Sequence, residues 1–500
     1  MRSVIRGGWV VAFDGASHVL VRDGVVVVDD DLVTGVVGEY AGQADVEVDA
    51  RGKLVSPGLI DTHVHLGIHH THRLIADSGR KDFYGQPFLH FAFARPGANA
   101  PDVRFDDRKK NDPESDLLTA RFVVTELLRN GVTTFVDVGS AKERVTPTAA
   151  VVEEMGLRAY LSPGYESEVF EGTADGRWRR VPTKDDGEGE LREAVEFIRE
   201  YDGAADGRIR GILVPEELEY CSVALLEKTV QLKEELGVPV QTHAAYSPLE
   251  WQYIVERHGC TPIELLERVG LLGPEVIIGH GQLVAENPLT NWAGGRDLEI
   301  LGSTGTTVSH SPINLFRRGR FLDSFTKYKK AGVNVALGAD TYPRDLIMQM
   351  RFASYVGKIM ERDFAAATAG EVFEAATLGG ARALGRDDLG RIAPGAKADI
   401  VIIGLRAPDS LRYGVIRDPI SALVDCGIGD DVETVLVDGR VVMDNRVIPN
   451  LDLPELLDDL QIAAQHYWDT AHHWDPLGKT ADESSPMSYP IVSAETTLSA

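Results

Sequence analysis

Cysteine is scarce in this chain. Cys221, Cys260 and Cys426 are the only three in 500 residues, too few and too scattered for a disulfide framework or a CxxC metal site, so they read as reduced thiols serving as small buried hydrophobes. Basic charge is in deficit too. Against 77 Asp and Glu stand 51 Lys and Arg, a formal charge of −26, and that field repels phosphate backbones and anionic lipid surfaces. Nucleic acid and membrane partners are disfavoured on this ground. No apolar run reaches the ~18 unbroken residues of a spanning helix, and the start, MRSVIRGGWVVAFDG, meets Gly7 and Gly8 before the h-region of an export signal can form. The expected setting is the cytoplasm, and the expected partner a small-molecule substrate.

What is present suits a large globular fold: 43% of the residues are hydrophobic and 26% charged, material for one large domain with an accessory unit. Residues 1–57 carry short β-branched runs (WVVAF, HVLV, GVVVVDDDLVTGVVG, ADVEVDA) punctuated by Gly and Asp, as in hairpins of an antiparallel sheet. From Pro57 the texture changes. Eight apolar runs of strand length, at 59–66, 132–138, 157–163, 209–215, 238–243, 275–280, 306–312 and 333–340, alternate with helical patterns such as 116–130 and 223–237. These are the ingredients of an α/β (β/α)8 TIM barrel, whose chemistry sits at the strand C-terminal ends. Hairpin texture returns in GRIAPGAKADIVIIG (390–404) and VETVLVDGRVVMDN (432–445). Two separate small β units would each have too little core, so the expected organisation is a composite β-sandwich from 1–57 and 391–450, a barrel over 58–390, and a C-terminal helix with a loose tail over 451–500.

The sharpest local feature is His63-Val64-His65 at the end of the first barrel run, since residues two apart in a strand face the same side. One HxH pair is a weak signal among 14 histidines. Recurrence strengthens it: His243, His280, His310 and Asp340 end the fifth to eighth runs. Burying such groups without partners costs roughly 1–3 kcal/mol each, and three imidazoles with a carboxylate suit a borderline divalent metal such as zinc.

PGLIDTHVHLG (57–67), THAAYS (242–247), IIGHGQLV (277–284), VSHSPINLFRRG (308–319) and GADTYPRDLIMQMR (338–351), followed by GRIAPGAKADIVIIG, resemble the amidohydrolase superfamily over about residues 1–450. The branch most similar in text is that of chlorohydrolases and deaminases acting on triazines and purines. The resemblance implies one divalent ion per chain, zinc first and iron, manganese or cobalt next, with His63, His65, His243 and Asp340 as ligands and His280 as catalytic histidine. A homo-oligomer is the expected assembly. Two-metal members bridge their ions through a strand-four lysine or glutamate. Here strand four runs IRGILVPEELEYCS without a lysine, so a second ion would need Glu216 or Glu217, whose plainer reading is the first turn of a helix.

One departure bears on the reaction. The branch carries HxxE after strand five, its glutamate protonating a substrate ring nitrogen, whereas this chain reads His243-Ala244-Ala245-Tyr246, and Glu250 comes too late. A phenol with an ordinary pKa near ~10 is a poor base at neutral pH but can donate a hydrogen bond to a carbonyl or oxyanion. A long aromatic insertion at 67–97, with Phe83, Tyr84, Phe88, Phe91 and Phe93, also lies on the catalytic side and offers a wall for an apolar substrate. Its text is similar to that of molinate and phenylurea hydrolases. The leading expectation is therefore cleavage of a C–N or C–S bond in a neutral, hydrophobic amide, urea, carbamate or thiocarbamate by metal-activated water. In it Asp340 accepts the water proton, His280 orients the nucleophile, and Tyr246, Glu216 and His310 recognise substrate. The rival is an aminohydrolase of a purine, pyrimidine or triazine, with Glu216 or Glu217 as substitute acid; a third reading keeps the barrel for binding without turnover.

Overall fold

The computed structural model describes residues 1–67, 113–172, 178–405, 411–474 and 479–491. Each of the eight runs forms a parallel strand: β1 (Leu59–Val64), β2 (Val132–Asp137), β3 (Arg158–Leu161), β4 (Ile209–Gly211, resumed at Val214–Pro215), β5 (Val240–Ala244), β6 (Val276–His280), β7 (Thr307–His310) and β8 (Asn334–Leu337). They pair in chain order as two arcs, β1 to β4 and β5 to β8. Short parallel bridges close the ring. Leu213 pairs with Val240 between β4 and β5, and Val64 with Asp340 beyond β8, where Asp340 N donates to His63 O and His65 N to Asp340 O, both at 2.8 Å. The arrangement is a TIM-barrel type α/β fold, its interior filled by Ile60, Val136, Tyr160, Ile212 and Ile277 above the helix Leu378–Ala383.

The helices between strands follow local signals. Val223–Leu236 starts where Ser222 Oγ accepts from Leu225 N at 3.2 Å and stops at Gly237, whose φ of 65° is the left-handed value that favours glycine. Outside the barrel, a six-stranded sheet runs Arg440–Met443, Val432–Val437, Ile400–Ile403, Leu54–Pro57, Trp9–Phe13, His18–Arg22. It joins the two ends of the chain, Ile402 standing opposite Val55. A four-stranded sheet runs Leu32–Val37, Val25–Asp29, Arg2–Arg6, Val46–Asp49. Ile5, Val26 and Val28 of the smaller sheet share one buried cluster with Val10, Val55, Ile400 and Leu436 of the larger.

The purely antiparallel reading of residues 1–57 is corrected. Arg2–Arg6 pairs parallel with Val46–Asp49, and Trp9–Phe13 parallel with Leu54–Pro57. The chain passes between the two sheets, so strands that are neighbours in sequence are not always neighbours in a sheet, and local alternation specifies a strand without specifying its partner.

The larger sheet feeds the site directly: Leu54–Pro57 leads through Gly58 into β1. A buried ion-pair cluster fastens the same junction. Arg158 of β3, 1% exposed, donates to Asp399 at 3.3 Å and to Asp438 at 2.7 Å. The helix Leu453–Asp469 packs on Pro113–Arg129. No helix among the described residues is long and apolar enough to cross a membrane. Nearly all of the aromatic insertion, with its five rings and His69, His70 and His72, lies outside the described residues, as does the end of the tail.

Candidate metal centre and active site

Strand geometry brings the five sequence-selected groups to one end of the barrel. His63 and His65 lie on and just past β1; the β5–β6 register sets His243 against Gly279 and Ala244 against His280. Two of the groups leave extended backbone, His280 at φ 75° and Asp340 at φ 64°. Left-handed backbone in residues with a Cβ costs about 1–2 kcal/mol and is held where surrounding contacts demand it. Glycine supplies the room: a Cβ at Gly279 would stand 2.6 Å from His63 Cε1, and one at Gly338 2.6 Å from His63 Cβ.

The imidazoles converge. His65 Nε2 and His243 Nε2 are 3.1 Å apart, with the two rings stacked at an interplanar angle of 1°. A tetrahedral ion with bonds of 2.0–2.1 Å separates its ligands by about 3.3 Å. The His63 ring centre lies 5.2 Å from that of His65, 4.7 Å from His243 and 4.9 Å from His280. Asp340 completes the set, Oδ1 at 3.8 Å from His65 Nε2 and Oδ2 at 3.5 Å from His280 Nε2, with Asn314 Nδ2 donating to Oδ2.

This donor set fits a divalent ion. His63 Nε2, one of the expected ligand atoms, is buried without a hydrogen-bond partner, a cost of about 1–3 kcal/mol unless a ligand takes the nitrogen. His243 Nδ1 lies 2.9 Å from the Glu216 carbonyl oxygen, which can only accept; the proton therefore sits on Nδ1 and Nε2 keeps its lone pair. His63 Nδ1 is 3.1 Å from the Gln241 side-chain amide. Burial, chiefly, lowers the His65 and His243 pKa values to about 4 and that of His310 to about 3, and pushes His63 and His280 well below their usual range. All five are neutral at neutral pH, the state in which imidazole ligates.

The substrate-facing expectations meet a different arrangement. Tyr246, 7% exposed, has its ring 5.9 Å from His243 and 6.1 Å from His280, but its hydroxyl donates to Glu219 Oε1 at 2.7 Å. Glu216 holds His243 through its main-chain oxygen, which also accepts from His243 N at 2.9 Å, while its carboxylate leans on Gly139 and Gly164 and clusters with Glu166 and Glu217. His310 is 3% exposed with its ring 6.5 Å from Phe316. The helical first turn considered for Glu216 and Glu217 is also corrected. Leu218–Tyr220 is a 3-10 turn, and the helix waits until Val223, where Ser222 can cap it. Glu250, set aside as too late, accepts from Ala245 N and Tyr246 N at 2.7 Å and forms a capping box with Ser247.

Sequence reasoning missed two groups. Glu219 is 2% exposed, and its only cue was a third acid in the run EELE. Arg318 has Nε and Nη2 buried without partners, and its charge lowers the pKa of Asp340 against the larger effect of burial and those of His65, His243 and His280 in the same direction as burial.

The amidohydrolase family pattern matches residues 54–442. The chain belongs to the amidohydrolase family. This amidohydrolase is 31% identical to a 5'-deoxyadenosine deaminase of Methanothermobacter thermautotrophicus over 451 residues, 89% of this chain and 95% of that protein. Its fold is similar to that of an adenosine deaminase from Xanthomonas campestris with bound zinc, at a TM-score of 0.76 and 21% identity over 93% of this chain and 98% of the other. It is also similar to atrazine chlorohydrolase from Arthrobacter aurescens complexed with zinc, at 0.76 and 22% over 92% and 100%. Family and site together make it a metal-dependent hydrolase acting on carbon–nitrogen bonds other than peptide bonds.

Proposed function

We propose that this amidohydrolase is an aminohydrolase that replaces the amino group of a purine nucleoside by oxygen and releases ammonia. The observation that carries the reading is the 31% identity, over 95% of its length, to a relative named as a 5'-deoxyadenosine deaminase, in a chain whose expected ligand atoms converge. The order of the two enzymatic readings from sequence is thereby reversed. We take His63, His65, His243 and Asp340 as the ligands of one divalent ion, zinc by the chemistry of the donors and by the zinc bound in the structural neighbours. The two flanking sheets, sharing one buried cluster, we read as the composite sandwich, and the three free thiols support a cytoplasmic setting.

The ion supplies Lewis-acid activation of water at neutral pH. Asp340, buried and with a pKa raised chiefly by that burial, takes the proton that the attacking water gives up and later delivers it to the departing amine. His280, its Nε2 at 3.5 Å from Asp340 Oδ2, orients the nucleophile and steadies the carboxylate. Tyr246 and His310 flank the ring of the substrate, and the Arg318 cation, which already acts on Asp340 and has Nε and Nη2 without hydrogen-bond partners, favours charge developing on oxygen.

The acyl-hydrolase reading keeps one specific support, Tyr246 in place of the HxxE glutamate. A turnover screen of the metal-loaded protein separates the two, scoring ammonia from aminopurine nucleosides beside amine and thiol from ureas, carbamates and thiocarbamates. Faster release from the carbonyl panel would reinstate the earlier reading.

A further inference from the structure

We propose that Glu219, acting through the Tyr246 hydroxyl, supplies the ring-nitrogen proton that the strand-five glutamate would otherwise deliver. This inference rests on the aminohydrolase reading. Tyr246 occupies the HxxE position, with its ring beside His243 and His280, so its hydroxyl is the polar group that this position presents. Behind it the acid reappears from another element: Glu219, on the turn after β4, accepts the phenol at 2.7 Å. The sequence substitution displaces the carboxyl by one hydrogen bond.

The surroundings of Glu219 favour an acid over a fixed anion. Its side chain is fully buried, Oε2 has no hydrogen-bond partner, and Arg180 donates to its main-chain oxygen, with the guanidinium still 4.0 Å from Oε1. The charged and titratable groups around it are Arg180 from the strand Trp178–Pro182, Tyr246 from the turn after β5, Glu250 from the helix Pro248–His258, and Glu217 and Tyr220 on its own turn. Burial raises its pKa, opposed by Arg180 and by the Tyr246 hydrogen bond. Arg180 also lies over the ring of Tyr253 at 3.6 Å, and at 4.0 Å from Oε1 it offsets the effect of burial only in part. A purely structural Tyr–Glu contact would need neither a carboxyl whose pKa burial raises nor its place behind the HxxE position.

The protons balance. As water oxygen bonds to the carbon bearing the amino group, its proton goes to Asp340. With substrate bound, the phenol turns its O–H from Glu219 to the ring nitrogen and the protonated Glu219 donates to the phenol oxygen across the same 2.7 Å. The Tyr246 proton then passes to the ring nitrogen while Glu219 gives its own to Tyr246, so the phenol stays neutral and Glu219 becomes a carboxylate. On collapse the carbon–nitrogen bond breaks, its electron pair leaves with the amine, and the Asp340 proton completes ammonia. The hydroxyl proton of the adduct returns through Tyr246 to Glu219, leaving a carbonyl beside a ring N–H. One water is consumed for each ammonia released.

The test compares Tyr246→Phe, Glu219→Gln, Glu219→Asp and the double variant Tyr246→Phe/Glu219→Gln as metal-loaded enzymes on adenosine and 5'-deoxyadenosine. Loss of a positioned acid should lower kcat by ~10²-fold or more, with KM, bound metal and unfolding temperature little changed. The double variant should be no slower than either single one, because both remove the same route, and Glu219→Asp should recover part of the rate. In the parent, kcat should fall as pH rises through the elevated pKa of Glu219, which must be protonated to act, and Glu219→Gln should lose that alkaline limb. Ammonia release by the parent with kcat kept within ~3-fold in Glu219→Gln, or with losses that multiply in the double variant, would overturn the relay alone. A parent that hydrolyses the carbonyl panel and frees no ammonia would overturn the aminohydrolase reading and the relay together.

Discussion

His243 gathers several constraints into one side chain: its Nδ1 is tied to the Glu216 carbonyl, its ring is stacked on His65, and its Nε2 is aimed where His65 Nε2 also points. His243→Ala should therefore abolish tight retention of metal, read as metal per chain after dialysis, and two tightly held ions in the parent would mean that the Glu166–Glu216–Glu217 cluster binds a second. Asp340→Asn keeps shape and removes the base. Turnover should drop by ~10³-fold or more with partial loss of metal, whereas His280→Asn should lose rate and keep more metal; equal depletion in both would make His280 a ligand. Ligand candidates could be read from the sequence because strand periodicity alone sets HxH on one side and strand-end residues at one rim. Glu219 was hidden because it meets Tyr246 across 27 residues through a 3-10 turn, for which the sequence carries no periodic signal.

Eight strands were legible as elements, since each is an apolar run between helices with recognisable stops such as Gly237. Partner choice in the flanking sheets was not, because a β-branched run fits a parallel or an antiparallel neighbour equally well, as Val46–Asp49 beside Arg2–Arg6 illustrates. Packing between β1, β6 and β8 makes a sharper forecast. Gly279→Ala or Gly338→Ala should push the His63 ring aside and weaken metal affinity by ~10-fold or more, measured by competition with a chelator; wild-type affinity would mean that β1 shifts freely. The strand His18–Arg22 offers a pH test. His18 Nε2 is 3.0 Å from Thr377 Oγ1, and burial lowers its pKa to about 4. The unfolded chain takes up a proton below pH ~6.5 that the folded one refuses until about 4, so this residue removes stability as pH falls through that window and contributes nothing above it. His18→Gln should flatten the acid limb of a denaturation series by up to ~3 kcal/mol relative to the parent, and parallel limbs would contradict the assignment.

Across the whole molecule, the barrel and the sheet that joins the chain ends meet at Arg158. Arg158→Met leaves Asp399 buried without its cation and Asp438 with only Lys397, at 3.5 Å, and should cost about 3–5 kcal/mol in denaturant unfolding, far more than an exposed pair. The barrel and its C-terminal rim were readable in advance because residues needing water or metal gather there. The relatives favour the aminohydrolase that sequence ranked second, and that ranking followed from taking Tyr246 for a lost acid, whereas we propose that Glu219, one hydrogen bond behind it, stands in for the glutamate. Oxygen transfer from water separates an aminohydrolase from an acyl hydrolase in one assay. The metal-loaded enzyme is given 5'-deoxyadenosine in water enriched in heavy oxygen, and the product is weighed by mass spectrometry while ammonia is counted. An aminohydrolase leaves one heavy oxygen on the purine ring for every ammonia released; an unchanged nucleoside, beside rapid hydrolysis of a urea or thiocarbamate, would rule that activity out.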